Sequence, residues 1–102
     1  METNSPIDAG QATEALAALA QEHRLAAFRL LVQAGNKGMP AGAIAEALGV
    51  PASSLSFHLA QLRQAGLIRQ ERQHRSLIYR ADSTVMNGLI AYLWENCCQG
   101  AG

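Results

Sequence analysis

The segment from Ala43 to Ile68 constrains this chain more than any other, because its punctuation permits only two short helices set at an angle. The first run, Ala43-Ile-Ala-Glu-Ala-Leu48, is built of good helix formers and stops at Gly49. Pro51 follows at once; it breaks a helix interior but suits a helix start, so it predicts a second helix reaching Ala65. In that second helix Leu55, Leu59 and Leu62 step by four and three and share one face, which must be the buried one. Ser53, Ser54, Ser56, Phe57, His58 and Gln61 largely occupy the other sides. Two short helices meeting at a glycine turn, the second with small polar groups near its N-terminus, make a helix-turn-helix. Hydroxyl, imidazole and carboxamide groups on such a helix reach base edges or phosphates in a major groove. An ordinary solvated helix face carries the same residue types, so the neighbouring segments decide between the two readings.

After Gly66, Leu67-Ile68 and Leu77-Ile-Tyr79 flank a polar run from Arg69 to Ser76. This predicts a two-stranded hairpin with its tip near Gln73-His74-Arg75. The formal net charge is zero, which taken alone speaks against a nucleic-acid partner. Distribution reverses that judgement. Between Arg63 and Arg80 stand Arg63, Arg69, Arg72, Arg75 and Arg80, opposed there by Glu71 alone. Apart from Glu46, the other acids lie toward the two ends of the chain. Such a basic stripe can meet phosphates beside a groove, with Arg72 and Arg75 nearest the tip. A solvated charged hairpin is the plainer alternative.

The rest of the chain supplies a frame. Apolar residues make up 49% of the 102, but aromatics only 5%, a balance that favours helices. Residues 1–10, with Asn4, Ser5, Pro6 and Gly10, read as a flexible arm; helical spacing begins at Gln11 with Ala12, Leu16 and Leu19. A second helix is predicted over Glu22–Ala34, with Leu25, Phe28, Leu31 and Val32 on one face, and Gly35-Asn-Lys-Gly38 ends it. Asp82 or Ser83 can cap a last helix from Thr84 to about Glu95, with Val85, Leu89, Tyr92 and Leu93 spaced for burial. Met39 and Met86 read as core fillers, and His23 and His74 as isolated, solvated side chains. The predicted class is therefore mainly α with a small β-hairpin wing, one domain over residues 11–98 and a flexible tail at 99–102. The polar N-terminus lacks signal-peptide order and no apolar run approaches a membrane span, so a cytoplasmic protein with no membrane partner is expected.

With these motifs in place the chain resembles the ArsR/SmtB family of winged-helix repressors. The likeness rests on Ala18-Leu-Ala-Gln-Glu-His-Arg-Leu25, on Ser53-Ser-Leu-Ser-Phe-His-Leu59 with Leu62-Arg-Gln-Ala-Gly-Leu-Ile68, and on Arg75–Tyr79 as the returning strand of the wing. It covers roughly residues 12–98 and is specific in combination. Glu22 departs from the proline common at that position, which bears on how the helix begins rather than on function. The resemblance implies a homodimer built on the first and last helices, bound to double-stranded operator DNA until an inducer releases it.

Family members differ in inducer. Many arsenic sensors carry cysteines in the helix before the recognition helix, yet Ala41–Leu48 has none. Zinc sensors use carboxylates and histidines along the last helix, where this chain has Asp82 and Glu95 but no histidine. Tyr92-Leu-Trp-Glu-Asn-Cys-Cys98 is similar to the end of a subgroup that senses trivalent arsenic and antimony, with Trp94 then an interface residue beside the sensor. The resemblance thus implies Cys97 and Cys98 as metalloid ligands, with arsenite, antimonite or methylarsenite as inducer and no obligatory cofactor. Soft thiolates suit such thiophilic centres. The third cysteine of that subgroup is missing. Either an organoarsenical needing two sulfurs is the inducer, or glutathione or hydroxide completes the set, or the natural chain continues beyond Gly102. Thiol oxidation or reactive sulfur at the same pair is the alternative switch. A helical interaction module without DNA binding is the third reading. No nucleophile–base–acid set, phosphate-binding glycine loop or H-E-x-x-H motif supports an enzyme.

Overall fold

The computed structural model describes residues 7–95, and its elements start and stop where local chemistry requires. Helix α1 spans Ala9–Leu19. Its start is a reciprocal cap: Gln11 N donates to Asp8 Oδ1 at 2.8 Å and Asp8 N donates to Gln11 Oε1 at 3.0 Å. The helix therefore takes in Ala9 and Gly10, which sequence periodicity assigned to an arm, because a cap lies outside the apolar repeat. Helix α2 spans Glu22–Ala34, as expected, with Gln21 Oε1 accepting Arg24 N at 3.0 Å and Glu22 at the positive end of the dipole. A short 3₁₀ turn, Gly35–Lys37, follows.

Strand β1, Met39–Pro40, leads straight into α3 (Ala41–Leu48); Gly49 and Pro51 separate that helix from α4 (Ala52–Gln64). Strands β2 (Ile68–Gln73) and β3 (Ser76–Ala81) form the hairpin, and α5 spans Ser83–Trp94. The sheet order is β1-β3-β2, all antiparallel, so the expected two-stranded hairpin gains an edge strand through Met39 opposite Tyr79 and Pro40 opposite Ile78. Two residues have no periodicity to read. Gly38 makes the pairing possible: its φ is +68°, and a Cβ there would lie 2.7 Å from both Ile78 Cγ2 and the Tyr79 carbonyl oxygen.

The core joins the inner faces of the helices to the base of the hairpin. Leu31, Ile44, Leu55, Leu59, Leu62, Leu67 and Ile68 are its largest fully buried side chains, and no polar side chain among the described residues is buried with them. Met39 and Met86 pack at its edge. Truncating any of these leucines to alanine is expected to cost about 2–5 kcal/mol.

Two expected core faces are only half covered. On α2, Phe28 and Leu31 are buried, but Leu25 and Val32 (53% exposed) line an open cavity of about 610 Å³ between α2 and the β3–α5 junction. On α5, Leu89 is buried while Leu93 is 59% exposed, beside Ile90 and Trp94. Helical spacing shows which side is apolar, not whether the same chain covers it. Among the described residues no helix is long and apolar enough to cross a membrane.

Candidate nucleic-acid interface

The reading element is placed by its turn. Gly49 sits at φ +68°, ψ +33°, where its N–H bonds to the Ala45 and Glu46 carbonyls, and Val50 N adds a 3.1 Å bond to Ala45 O. That closes α3 in the left-handed geometry glycine tolerates best. Pro51 then serves as N-cap of α4, its carbonyl accepting Leu55 N at 3.0 Å. No side chain caps α4 and its first turn holds no acid, so the positive end of its dipole meets no side-chain carboxylate of its own.

Leu55, Leu59 and Leu62 anchor α4 in the core. Ser53, Ser54, Ser56 and Phe57 are exposed together on the outward side, and Phe57 keeps 58% of its surface in solvent. His58 and Gln61 are half-buried on the flank that faces α1 and α2. Gln61 lines a small cleft with Glu14, Ala17 and Arg24. His58 Nδ1 lies 3.4 Å from Arg24 Nη1, and its ring centroid is 5.7 Å from that of His23. Burial, then the Arg24 charge, then His23, hold His58 below its ordinary pKa of 6.5, so near neutrality it is uncharged. His23 is thus not the isolated side chain expected from sequence: α2 carries it to α4. The rings of His58 and Phe57 also meet at a steep angle of 62°, with centroids 6.0 Å apart.

The hairpin sorts its arginines. Arg80 donates through Nε to the Asn36 carbonyl at 2.7 Å and through Nη1 to Glu71, and only 17% of its side chain is exposed. Arg69 lies 3.6 Å from Asp82. Arg69 and Arg80 stand directly opposite each other across the β2–β3 ladder, and their acids relieve the like-charge pairing. Arg72 and Arg75 are exposed near the tip and have no ion pair among the described residues. His74 turns the chain there at φ +58°. Within the hairpin the basic stripe is therefore two structural arginines at the root and two free ones at the end, while its fifth member, Arg63, is exposed in the last turn of α4.

No group of three or more His, Cys, Asp or Glu stands close enough to hold a metal ion among the described residues. The expected ligands Cys97 and Cys98, and the tail at 99–102, lie outside the described residues. What sequence reasoning missed is Arg24, whose link to His58 spans 34 positions and leaves no local signal.

A glycine-turned helix pair, a polar outward helix and a flanking hairpin with unpaired arginines define a winged helix-turn-helix DNA-binding protein. Residues 19–71 match a family described as a helix-turn-helix domain. The HTH-type transcriptional regulator YgaV of Escherichia coli is 33% identical over 90 residues, spanning 88% of this chain and 89% of that protein. An ArsR-like transcriptional regulator from Rhodococcus superposes with a TM-score of 0.74 at 27% identity, covering 90% of this chain and 81% of the other. The homodimeric winged helix-turn-helix DNA-binding domain of Mb0332 from Mycobacterium bovis, a possible ArsR-family regulator, gives 0.68 at 26% identity, over 85% and 80% of the two chains. The chain belongs to the ArsR family of DNA-binding transcriptional regulators. Its relatives and fold are those of regulators, not enzymes.

Proposed function

We propose that the chain is a homodimeric repressor that occupies operator DNA and is released when a trivalent arsenical binds Cys97 and Cys98. The observation that carries the DNA half is the exposed Ser53–Phe57 face of α4 standing with the unpaired Arg72 and Arg75. Serines and Phe57 read base edges and methyl groups, while the two arginines fix register on the backbone. The dimer half is supported by Leu16 on α1 and Ile90, Leu93 and Trp94 on α5, apolar side chains 45–64% exposed. A second copy covering them sets two α4 helices about 34 Å apart, one helical turn of DNA.

The sensing half follows from position and chemistry. Cys97 and Cys98 come three and four residues after α5 ends, so a ligand there acts directly on the helix that carries the dimer face. With methylarsenite, CH₃As(OH)₂, two As–S bonds form, the two hydroxides leave, and each takes a thiol proton away as water. Adjacent thiols supply the two sulfurs such a centre needs. Release by 100-fold requires about 2.7 kcal/mol of preference for the free form.

The test is fluorescence anisotropy on the promoter upstream of the protein's own gene, with arsenite, antimonite, methylarsenite, zinc or peroxide added. The proposal expects release by trivalent arsenicals, and expects Cys97→Ser and Cys98→Ser to bind DNA but not to respond. A single mutant that still responds fully removes the cysteine assignment. Release by peroxide alone moves the pair to a redox role, and absence of DNA binding at low salt removes the repressor.

A further inference from the structure

We infer that Arg24 is a positioning residue that sets the recognition helix α4 against the dimerisation helix α1, and that it does so only while His58 is neutral. The inference rests on the operator-binding reading and names a route within it from the dimer face to the reading head.

One guanidinium holds three elements. Arg24 is fixed at its own backbone by the Gln21 cap at the start of α2. Its Nε donates to Ala18 O at 2.7 Å. That carbonyl belongs to the last turn of α1, where carbonyls lack intrahelical donors and a cation meets the negative end of the dipole. Its Nη1 then reaches His58 Nδ1 in the middle of α4. The arginine thus ties the end of α1 to a point on α4 one residue past Phe57.

The chemistry of the last contact makes it conditional. Arginine has only donors and keeps its proton, so the contact requires His58 Nδ1 as acceptor, with the ring proton on Nε2. Protonating Nδ1 removes the acceptor and sets a second cation against the guanidinium. The charged and titratable groups around this point are Arg24 and His23 on α2 and Glu14 on α1, which lines the cleft beside Arg24. Arg24 and His23 oppose a charged His58, in line with its lowered pKa. Below its pKa the tie opens and α4 loses its setting relative to α1.

Two measurements test this separately. The first needs no DNA: NMR titration of the histidine ring protons in the free protein. Arg24→Gln is expected to raise the His58 pKa toward its ordinary value; an unchanged pKa overturns the inference, even if operator binding holds. The second is operator affinity at constant ionic strength, from pH 7.5 to 5.5. The wild type is expected to weaken about tenfold. His58→Gln, whose carbonyl oxygen accepts at every pH, is expected to show a ratio between the two pH values below twofold. Arg24→Lys, which keeps the charge but cannot span both acceptors, is expected to bind about tenfold more weakly at pH 7.5 with an unchanged salt slope. A salt slope lowered by about 1.8 in Arg24→Gln, which removes one charge from each subunit, makes Arg24 a phosphate contact instead and overturns the positioning role. A His58→Gln profile as steep as the wild type overturns the role of His58. Circular dichroism at each pH confirms that the folded protein is being compared.

Discussion

On α4 and the hairpin tip the outward side chains are mostly small, polar or basic, whereas Leu16 on α1 and the C-terminal half of α5 expose large apolar ones. Water satisfies the first set: the serines, Arg72 and Arg75 remain solvated until they meet a polyanion, whose condensed counterions the arginines then release. It cannot satisfy the second, where Leu16, Ile90, Leu93 and Trp94 leave apolar surface in solvent at about 25 cal/mol per Å². One face therefore waits for its partner at no cost in stability, while the other drives association. The difference teaches where each kind of variant shows itself, in affinity and salt dependence on the first face and in assembly on the second.

The sharpest break in that contrast is a charge on the apolar face. Ile90→Glu with Leu93→Glu is expected to yield a folded monomer by sedimentation and to lower operator affinity at least about 100-fold, because one reading head loses the gain of two. On the basic side, Arg72→Ala with Arg75→Ala removes four phosphate contacts per dimer, and is expected to weaken binding at least about tenfold at moderate salt and to lower the slope of log K against log salt by about 3.6. Assembly should not change. Phe57 sharpens the comparison, being an apolar side chain on the polar face. Phe57→Ala is expected to leave the melting temperature within about 0.5 kcal/mol equivalent, since little burial is lost, yet to cost about fivefold in affinity where the site presents a thymine methyl.

The smallest effect concerns how α5 begins. Asp82 accepts Thr84 N at 2.9 Å, and this hydrogen bond, outweighing the opposing effect of burial, holds its carboxyl below the ordinary value of 3.8. The folded state then binds fewer protons than the unfolded chain between the two pKa values. The cap's contribution is complete above the ordinary carboxylate pKa and is lost as pH falls through the lowered one. Asp82→Ala is expected to cost up to about 1 kcal/mol at pH 7, shrinking at low pH, by urea unfolding.

How far the sequence could be read depended on the range of the interaction. Gly49, Pro51 and the leucines of α4 act within a few positions, so the helix-turn-helix was legible, as was α2 from Glu22 to Ala34. The cap at Asp8 was local too, but it sits outside any apolar repeat and was passed over. Leu25, Val32 and Leu93 look like Phe28 and Leu89 in a sequence, because a helical stripe does not record what covers it. Nor does a basic run record that Arg69 and Arg80 serve the hairpin while Arg72 and Arg75 stay free, which depends on strand register. The Arg24–His58 contact needed the whole fold.

Leu67 O accepts Asp82 N at 2.9 Å, so the chain leaves and returns to one spot on either side of residues 68–81. The helices are joined at that stitch, and the hairpin hangs from it as a flap. A flap mounted this way can be lengthened or shortened by paired residues at its tip without altering the spacing of the helices. Within this architecture, span along the phosphate backbone and choice of bases are thus separate dials, turned by different stretches of the same short chain.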